Sequence, residues 1–446
     1  MLLLVATTSY RTDDFIAAAQ RLGVEVTVGT DRCLSLAKVW PEEAFGTLAL
    51  DFRHPARAVR AIERAGPFAA VVATSDDTAV LAALAARALG LPGNAPEAAR
   101  AARNKRVMRA HLRLAGVPCP EFAVFPAEAD PRTLELPWPF PVVVKPLLLS
   151  ASRGVIRADD REDFAAAFAR VGRLLARPEL AQVDDDLECL RPPRPSAGTQ
   201  PARRQILVER FVPGMEVALE GVLSAGALRV LALFDKPDPL DGPFFEETIY
   251  VTPSRLPAGT QSAIAEVTAR AAAALGLRQG PIHAELRLSD GGPVVIEVAA
   301  RSIGGLCSRT LRFGLAGSPR ADEPPHSLEE IVIAHALDLD ASAPRDGAIA
   351  KARDETASKN GASGVMMVPI PKGGVLQAVE GVEEARAVPR IEDVVISMKV
   401  GERVVPLPEG AAYLGFLFAR APEPAEVEAA LREAHRRLRF TIAATL

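Results

Sequence analysis

Two glutamates in a stretch of alternating sequence could hold a metal ion. In IHAELRLSDGGPVVIEVAA, beginning at Ile282, the apolar residues Ile282, Ala284, Leu286 and Leu288 share one face of a strand. His283, Glu285 and Arg287 take the other face. Across the glycine-rich turn, Val294, Ile296 and Val298 form one set, and Val295, Glu297 and Ala299 the other. A hairpin closed by the three-residue loop Asp290-Gly291-Gly292 sets Glu285 directly opposite Glu297, whereas a two-residue turn puts them on opposite faces. Facing carboxylates repel by roughly 0.2–1 kcal/mol. A hard divalent cation between them reverses the sign, and Mg2+ takes one or two carboxylates together with substrate phosphates. The plainer alternative is a pair of solvated strand-face acids.

Other segments offer complementary chemistry. Lys145 follows three β-branched valines, so its stem is expected to be buried and its ammonium to need an anion. The small residues Ser150, Ser152 and Gly154 come next, where backbone N–H groups could close over a phosphate chain. After the apolar run QILV, Glu209-Arg210-Phe211-Val212 leaves a strand and could offer backbone groups and a carboxylate to an adenine edge. Glu216, seven residues on, could hold ribose hydroxyls. Each feature alone is also an ordinary strand end or exposed loop. No Ser/His/Asp or Cys/His arrangement competes with them, and Cys307 reads as a small core residue.

These groups need a scaffold. LLLVAT, VEVTVGT and AAVVATS read as strands, with helices DDFIAAAQRLG and DTAVLAALAARALG between or after them, each stopped by glycine. Strand–helix alternation predicts a parallel sheet with helices on its faces. A single basic helix is expected over AARNKRVMRAHLRLAG and an amphipathic one over 160–178. The polar, Pro-rich 184–204 stretch reads as a mobile insertion. Strands resume at QILVERFV, MEVALEGVLS and LRVLALFDK, then a helix closes at Gly276. Asp346–Gly361 reads as a boundary loop, followed by short strands and a last helix, PAEVEAALREAHRRL.

Bulk properties narrow the function classes. The chain has 446 residues, 49% apolar and 24% charged, an ordinary globular balance. A net charge of −4 and 5% aromatic residues argue against a nucleic-acid or membrane-surface partner. The N-terminal apolar run is too short for a signal or span, and the four scattered cysteines suggest neither disulfides nor zinc. A cytoplasmic location is expected.

Taken in order, LGLPGN, NKRVMRAHLRLAGVPCP, VVVKP, ILVERFVPGMEV and VIEVAARSIGG closely resemble the ATP-grasp superfamily, over roughly 88–310. Within it the chain is most similar to carboxylate–amine ligases, especially L-amino acid ligases that form dipeptides, on DGPFFEETIYVTPS, RSIGG and the C-terminal region. The resemblance implies an α/β (α+β) ATP-grasp architecture. Its parts would be a Rossmann-like N-terminal domain at 1–101, a two-lobed catalytic domain at 102–342, and a C-terminal α+β domain at 343–446 that completes the substrate site.

By the same resemblance, Lys105 and Lys145 would neutralise ATP phosphates, with Ser152 and Gly154 in the closing loop. Glu209 and the Val212 backbone would hold adenine, and Glu216 ribose. Glu285 and Glu297 would bind Mg2+, with Mn2+ as an alternative ion. Arg301, with Gly304 and Gly305, would stabilise an acyl phosphate and the tetrahedral intermediate, and Glu247 would receive an amino group. Ala299 departs from the family's E-x-N-x-R pattern and leaves a third side-chain metal ligand unassigned. The implied activity is an ADP-forming ligase that joins small-molecule carboxylate and amine substrates; homodimers are compatible with it. The alternatives are a carboxylating ligase of the biotin carboxylase or purine-biosynthesis type, for which no biotin-carrier segment is recognisable, and a catalytically silent ATP-binding protein.

Overall fold

The computed structural model describes residues 1–6, 9–31, 46–178, 180, 201–313, 326–339 and 361–444. Most of the 184–204 stretch, the 346–361 boundary loop up to its final glycine, and Cys33 and Cys189 lie outside the described residues. The described end of the first of these, Ala202–Arg204, is a 3-10 turn with Ala202 buried, leading straight into a strand.

The N-terminal sheet is parallel throughout, in the order Gly46–Ala49, Thr27–Thr30, Leu2–Val5, Val71–Ala73. Helices cover it, so Leu2, Leu3 and Leu4 are all fully buried and the central strand is apolar on both faces. The Gly46–Ala49 strand and the Pro55–Ala65 helix lack a strong sequence signal: the strand is short and largely exposed, and the helix is rich in arginine. The expected basic helix is two helices, Pro96–Arg103 and Lys105–Leu114. Asn104 separates them because its side chain caps the second, accepting from the amides of Arg106 and Val107 at 3.1 and 3.3 Å.

A four-stranded antiparallel sheet forms the smaller lobe, in the order Phe122–Pro126, Gln205–Arg210, Val142–Pro146, Ile156–Ala158. The Arg161–Leu175 helix packs Phe164, Phe168 and Val171 against it. The larger sheet has eight strands, in the order Gly292–Ala299, Gly280–Ser289, Met215–Ser224, Ala227–Asp235, Ile249–Thr252, Ala362–Val368, Gly415–Ala421, Ile391–Ile396. Its last three strands come from the C-terminal region, so one continuous sheet runs beneath the whole site. Helix Ala258–Leu275 ends at Gly276, whose φ of +78° suits a residue without a Cβ. Among the described residues no helix is long and apolar enough to cross a membrane.

Candidate active site

A cavity of about 270 Å3 opens between the smaller lobe, the larger sheet and the ends of the N-terminal strands. Lys105, Lys145, Ser152, Glu209, Val212, Glu216, Glu247, Glu285, Glu297, Arg301, Gly304 and Gly305 all line it. Gly154 does not. Its amide donates to the Pro408 carbonyl at 2.8 Å, and a Cβ there would meet Pro146 Cγ at 2.7 Å, so it fixes the loop's packing instead of facing a phosphate. The neighbouring loop is held too, by Arg153 Nε on the Glu409 carbonyl.

The hairpin does pair Glu285 with Glu297, but not through a three-residue loop. Ser289 pairs with Gly292, leaving the two-residue turn Asp290-Gly291, and this register runs to Leu286 opposite Val295. A β-bulge at Ile296 then restores the alignment of the two acids. Arg109 holds the bulge: its Nη2 donates to the Ile296 carbonyl at 2.5 Å, while its Nε donates to Glu209 at 2.6 Å. The two carboxylates thus share one face and one cavity, an all-oxygen pair that fits a hard divalent cation.

Burial alone would raise the Glu285 carboxyl; the charges of Lys236, His283 and Arg301 outweigh that and hold it far below its ordinary range. Lys236 was not anticipated from sequence, although it follows an apolar strand just as Lys145 does. Its Nζ lies 2.7 Å from Glu216, 2.6 Å from Glu247 and 3.5 Å from Glu285. Those three acids bring carboxylate oxygens within 4.8 Å of one another, so this triad already carries the chain's own cation. Burial and the nearby Glu285 charge push the Glu247 carboxyl up against the pull of Lys236, and Tyr250 donates to it at 2.6 Å.

Glu209 sits with both oxygens engaged, one by Arg109 and the other by Lys145 at 2.6 Å. Its first task is therefore to seat Lys145; a bond to an adenine amine would have to be shared. Burial lowers the Lys145 ammonium despite that partner. The Val212 carbonyl is taken by Arg287 Nη1 at 3.0 Å. Lys105 Nζ donates to the Leu149 carbonyl at 2.8 Å and lies 3.4 Å from Glu297. Arg301 is gripped by Asp76, with Nε and Nη2 at 3.0 and 2.8 Å from the same carboxylate oxygen. Gly304 has open space where a Cβ would be, whereas one on Gly305 would lie 3.1 Å from Phe416.

The supporting residues Asp76, Arg109, Lys236, His283 and Arg287 carry no separate motif. Only the strand alternation, which put His283 and Arg287 on the face of Glu285, pointed to any of them. Cys307 is buried beside Met367, and burial raises its thiol well above the usual range, which fits a packing residue. Phe245 lines the cavity, whereas Phe244 packs into the smaller lobe.

Both sequence and fold are shared with known proteins. Residues 138–310 match the ATP-grasp domain, 16–93 the ATP-grasp N-terminal domain, and 366–443 the L-amino acid ligase C-terminal domain 2. The crystal structure of an L-amino acid ligase from Bacillus licheniformis superimposes with a TM-score of 0.75 at 26% identity, over 99% of this chain and 98% of that one. Alanine–anticapsin ligase of Bacillus subtilis is 27% identical over 300 residues, 60% of this chain and 59% of its own. Carnosine synthase 1 of Homo sapiens is 30% identical over 254 residues, 54% of this chain and 28% of its own. The chain spans less than two thirds of the length of these curated relatives.

Proposed function

Because this chain is an ATP-grasp protein whose C-terminal region matches that of L-amino acid ligases, we propose that it is an ATP- and Mg2+-dependent carboxylate–amine ligase. Its products are an amide or peptide bond, ADP and phosphate, and its acid substrate is an amino acid. One observation carries this: Lys105, Lys145, Glu285, Glu297 and Arg301 converge on a single cavity from three separate parts of the chain.

A carboxylate is a poor electrophile because its leaving group would be oxide. Transfer of the γ-phosphoryl group of ATP converts it to an acyl phosphate, whose leaving group is good. That transfer depends on positioning and charge neutralisation more than on covalent help. Lys145, seated by Glu209, and Lys105, seated by the Leu149 carbonyl, supply fixed positive charge to the phosphates. Val212 and Glu216, which both line the cavity, would hold the nucleoside. Glu285 and Glu297 would hold the divalent ion, which when bound supplies Lewis-acid charge neutralisation of phosphate oxygens.

The attacking amine generates an oxyanion. Arg301, aimed by Asp76, is the donor for it, and the bare backbone at Gly304 lets the substrate approach closely. Glu247, raised by burial, is suited to accept a proton from an incoming ammonium. Water must be kept from the acyl phosphate, and the 149–152 loop covers the cavity on that side. In this assignment 1–101 supplies Asp76, 102–342 the phosphate and metal groups, and 343–446 the remaining wall, including Tyr413.

The test is a panel of amino acids with ATP, followed by ADP and phosphate release and mass spectrometry of the product. Release of ADP and phosphate with a new amide mass is expected. Release of AMP and pyrophosphate would overturn the proposal.

A further inference from the structure

Lys236 does not line the cavity, yet its ammonium touches three acids that do, Glu216, Glu247 and Glu285. It follows the Ala227–Asp235 strand, and the acids lie on or just before neighbouring strands of the larger sheet. Lys236 is 3% exposed, and its Nζ lies 4.8 Å from the centre of the Tyr250 ring. Carboxylate oxygens within 4.8 Å of one another repel, so the cation between them sets how the three acids are arranged.

At Glu247 that arrangement is one-sided. Lys236 Nζ and Tyr250 Oη both donate to Oε1 at 2.6 Å, and no described residue donates to Oε2. Oε2 is therefore the oxygen that Glu247 offers to a ligand in the cavity. The ammonium of an amine substrate has no lone pair with which to attack. One of its protons must pass to a base; the freed lone pair then forms the C–N bond as the bond from carbon to the phosphate oxygen breaks, and the second nitrogen proton leaves with phosphate. Such a transfer depends on where the accepting atom stands, and a displacement of about 1 Å can cost 10²-fold. We propose that Lys236 is a positioning residue for amide formation: by holding Oε1 it aims Oε2 of Glu247 at the attacking amine. The proposal rests on the ligase assignment and adds to it a residue that acts from outside the cavity.

The test offers one acyl phosphate two nucleophiles at once, with ATP and Mg2+ present. One is the amino acid amine from the substrate panel, whose nitrogen must first lose a proton. The other is hydroxylamine, which is largely unprotonated near neutral pH and needs no base. The ratio of amide to hydroxamate, read by mass spectrometry, reports on the attack alone, because any effect on Glu216, Glu285 or the folded fraction changes both products together. Lys236→Met should lower that ratio about 10–100-fold. Lys236→Arg keeps the charge among the three acids but not the donor geometry, and should lower it by less. An unchanged ratio in both variants overturns the proposal and leaves the ligase assignment standing; should Lys236→Met fail to fold, the Lys236→Arg ratio decides. Absence of both amide and hydroxamate with the wild-type chain overturns both.

Discussion

Asp76 and Arg301 stand 225 positions apart in sequence and meet at 2.8 Å. Asp76 opens the Asp76–Ala88 helix of the N-terminal domain, where the helix dipole favours a negative charge. Arg301 follows directly on the acidic hairpin. Burial alone would raise the Asp76 carboxyl, but the Arg301 charge and its hydrogen bonds bring it below its ordinary value of 3.8. A carboxyl lowered in the folded state adds stability above its unfolded value, and that contribution is lost as pH falls through the folded value. Asp76→Asn should therefore be less stable than wild type at pH 7, and the gap should close on acidification below pH 3.8. Urea midpoints at both ends of that range check the sign. The same variant should lower kcat about 10–100-fold with little change in KM for ATP, because it leaves Arg301 present but poorly aimed.

Arg109 has no exposed surface and joins Glu209 to the Ile296 bulge. Arg109→Leu strands a buried carboxylate with Lys145 as its only partner and removes the donor that the bulge carbonyl uses. The expected loss is about 3–5 kcal/mol, as for other broken buried pairs. Arg109→Lys keeps charge but cannot reach both acceptors at once, so it should recover only part of that stability. Chemical denaturation of the three proteins settles the order.

The bulge also shows where sequence reasoning reached and where it stopped. Alternation alone places Glu285 and Glu297 correctly within their own strands, and a three-residue loop gives the right pairing. The actual turn has two residues, and the compensating bulge depends on an arginine 187 positions away, which no local pattern reveals. The parallel N-terminal sheet was legible because its strands are apolar on both faces and its helices stop at Gly23 and Gly90. The break at Asn104 was not, because the basic run continues through the cap. Lys105, Lys145, Glu209 and Glu216 were found through motifs at strand and helix ends. Lys236 and Asp76 were missed because their importance lies in their partners, which only tertiary packing supplies.

Lys145→Ala and Glu297→Ala separate chemistry from folding. Glu209 keeps Arg109 as a partner when Lys145 is lost, and when Glu297 is lost the buried Lys105 ammonium keeps its hydrogen bond to the Leu149 carbonyl. Each should cut turnover by about 10²–10³-fold, the scale seen when one preorganised charge-stabilising group is removed. Thermal midpoints should stay near wild type for Glu297→Ala and fall modestly for Lys145→Ala. Wild-type turnover in either variant would remove that residue from the catalytic assignment.

The loop over the cavity is fastened from the C-terminal region. Arg170, on the helix of the smaller lobe, grips Glu409 through two bonds of 2.6 and 2.9 Å. Next to it the Arg153 side chain and the Gly154 amide take the carbonyls of Glu409 and Pro408. The hydrogen bond from Arg170 holds the Glu409 carboxyl below its usual range. A pair this accessible adds only about 0–1 kcal/mol to stability and weakens with salt. Its effect should appear in coupling instead. Arg170→Gln should leave the melting temperature nearly unchanged while loosening the smaller lobe, so that water reaches the acyl phosphate. The ratio of ADP released to amide formed should rise above that of wild type, and added salt should raise the wild-type ratio toward the variant's. Equal ratios at every ionic strength would show that Arg170 and Glu409 do not control closure.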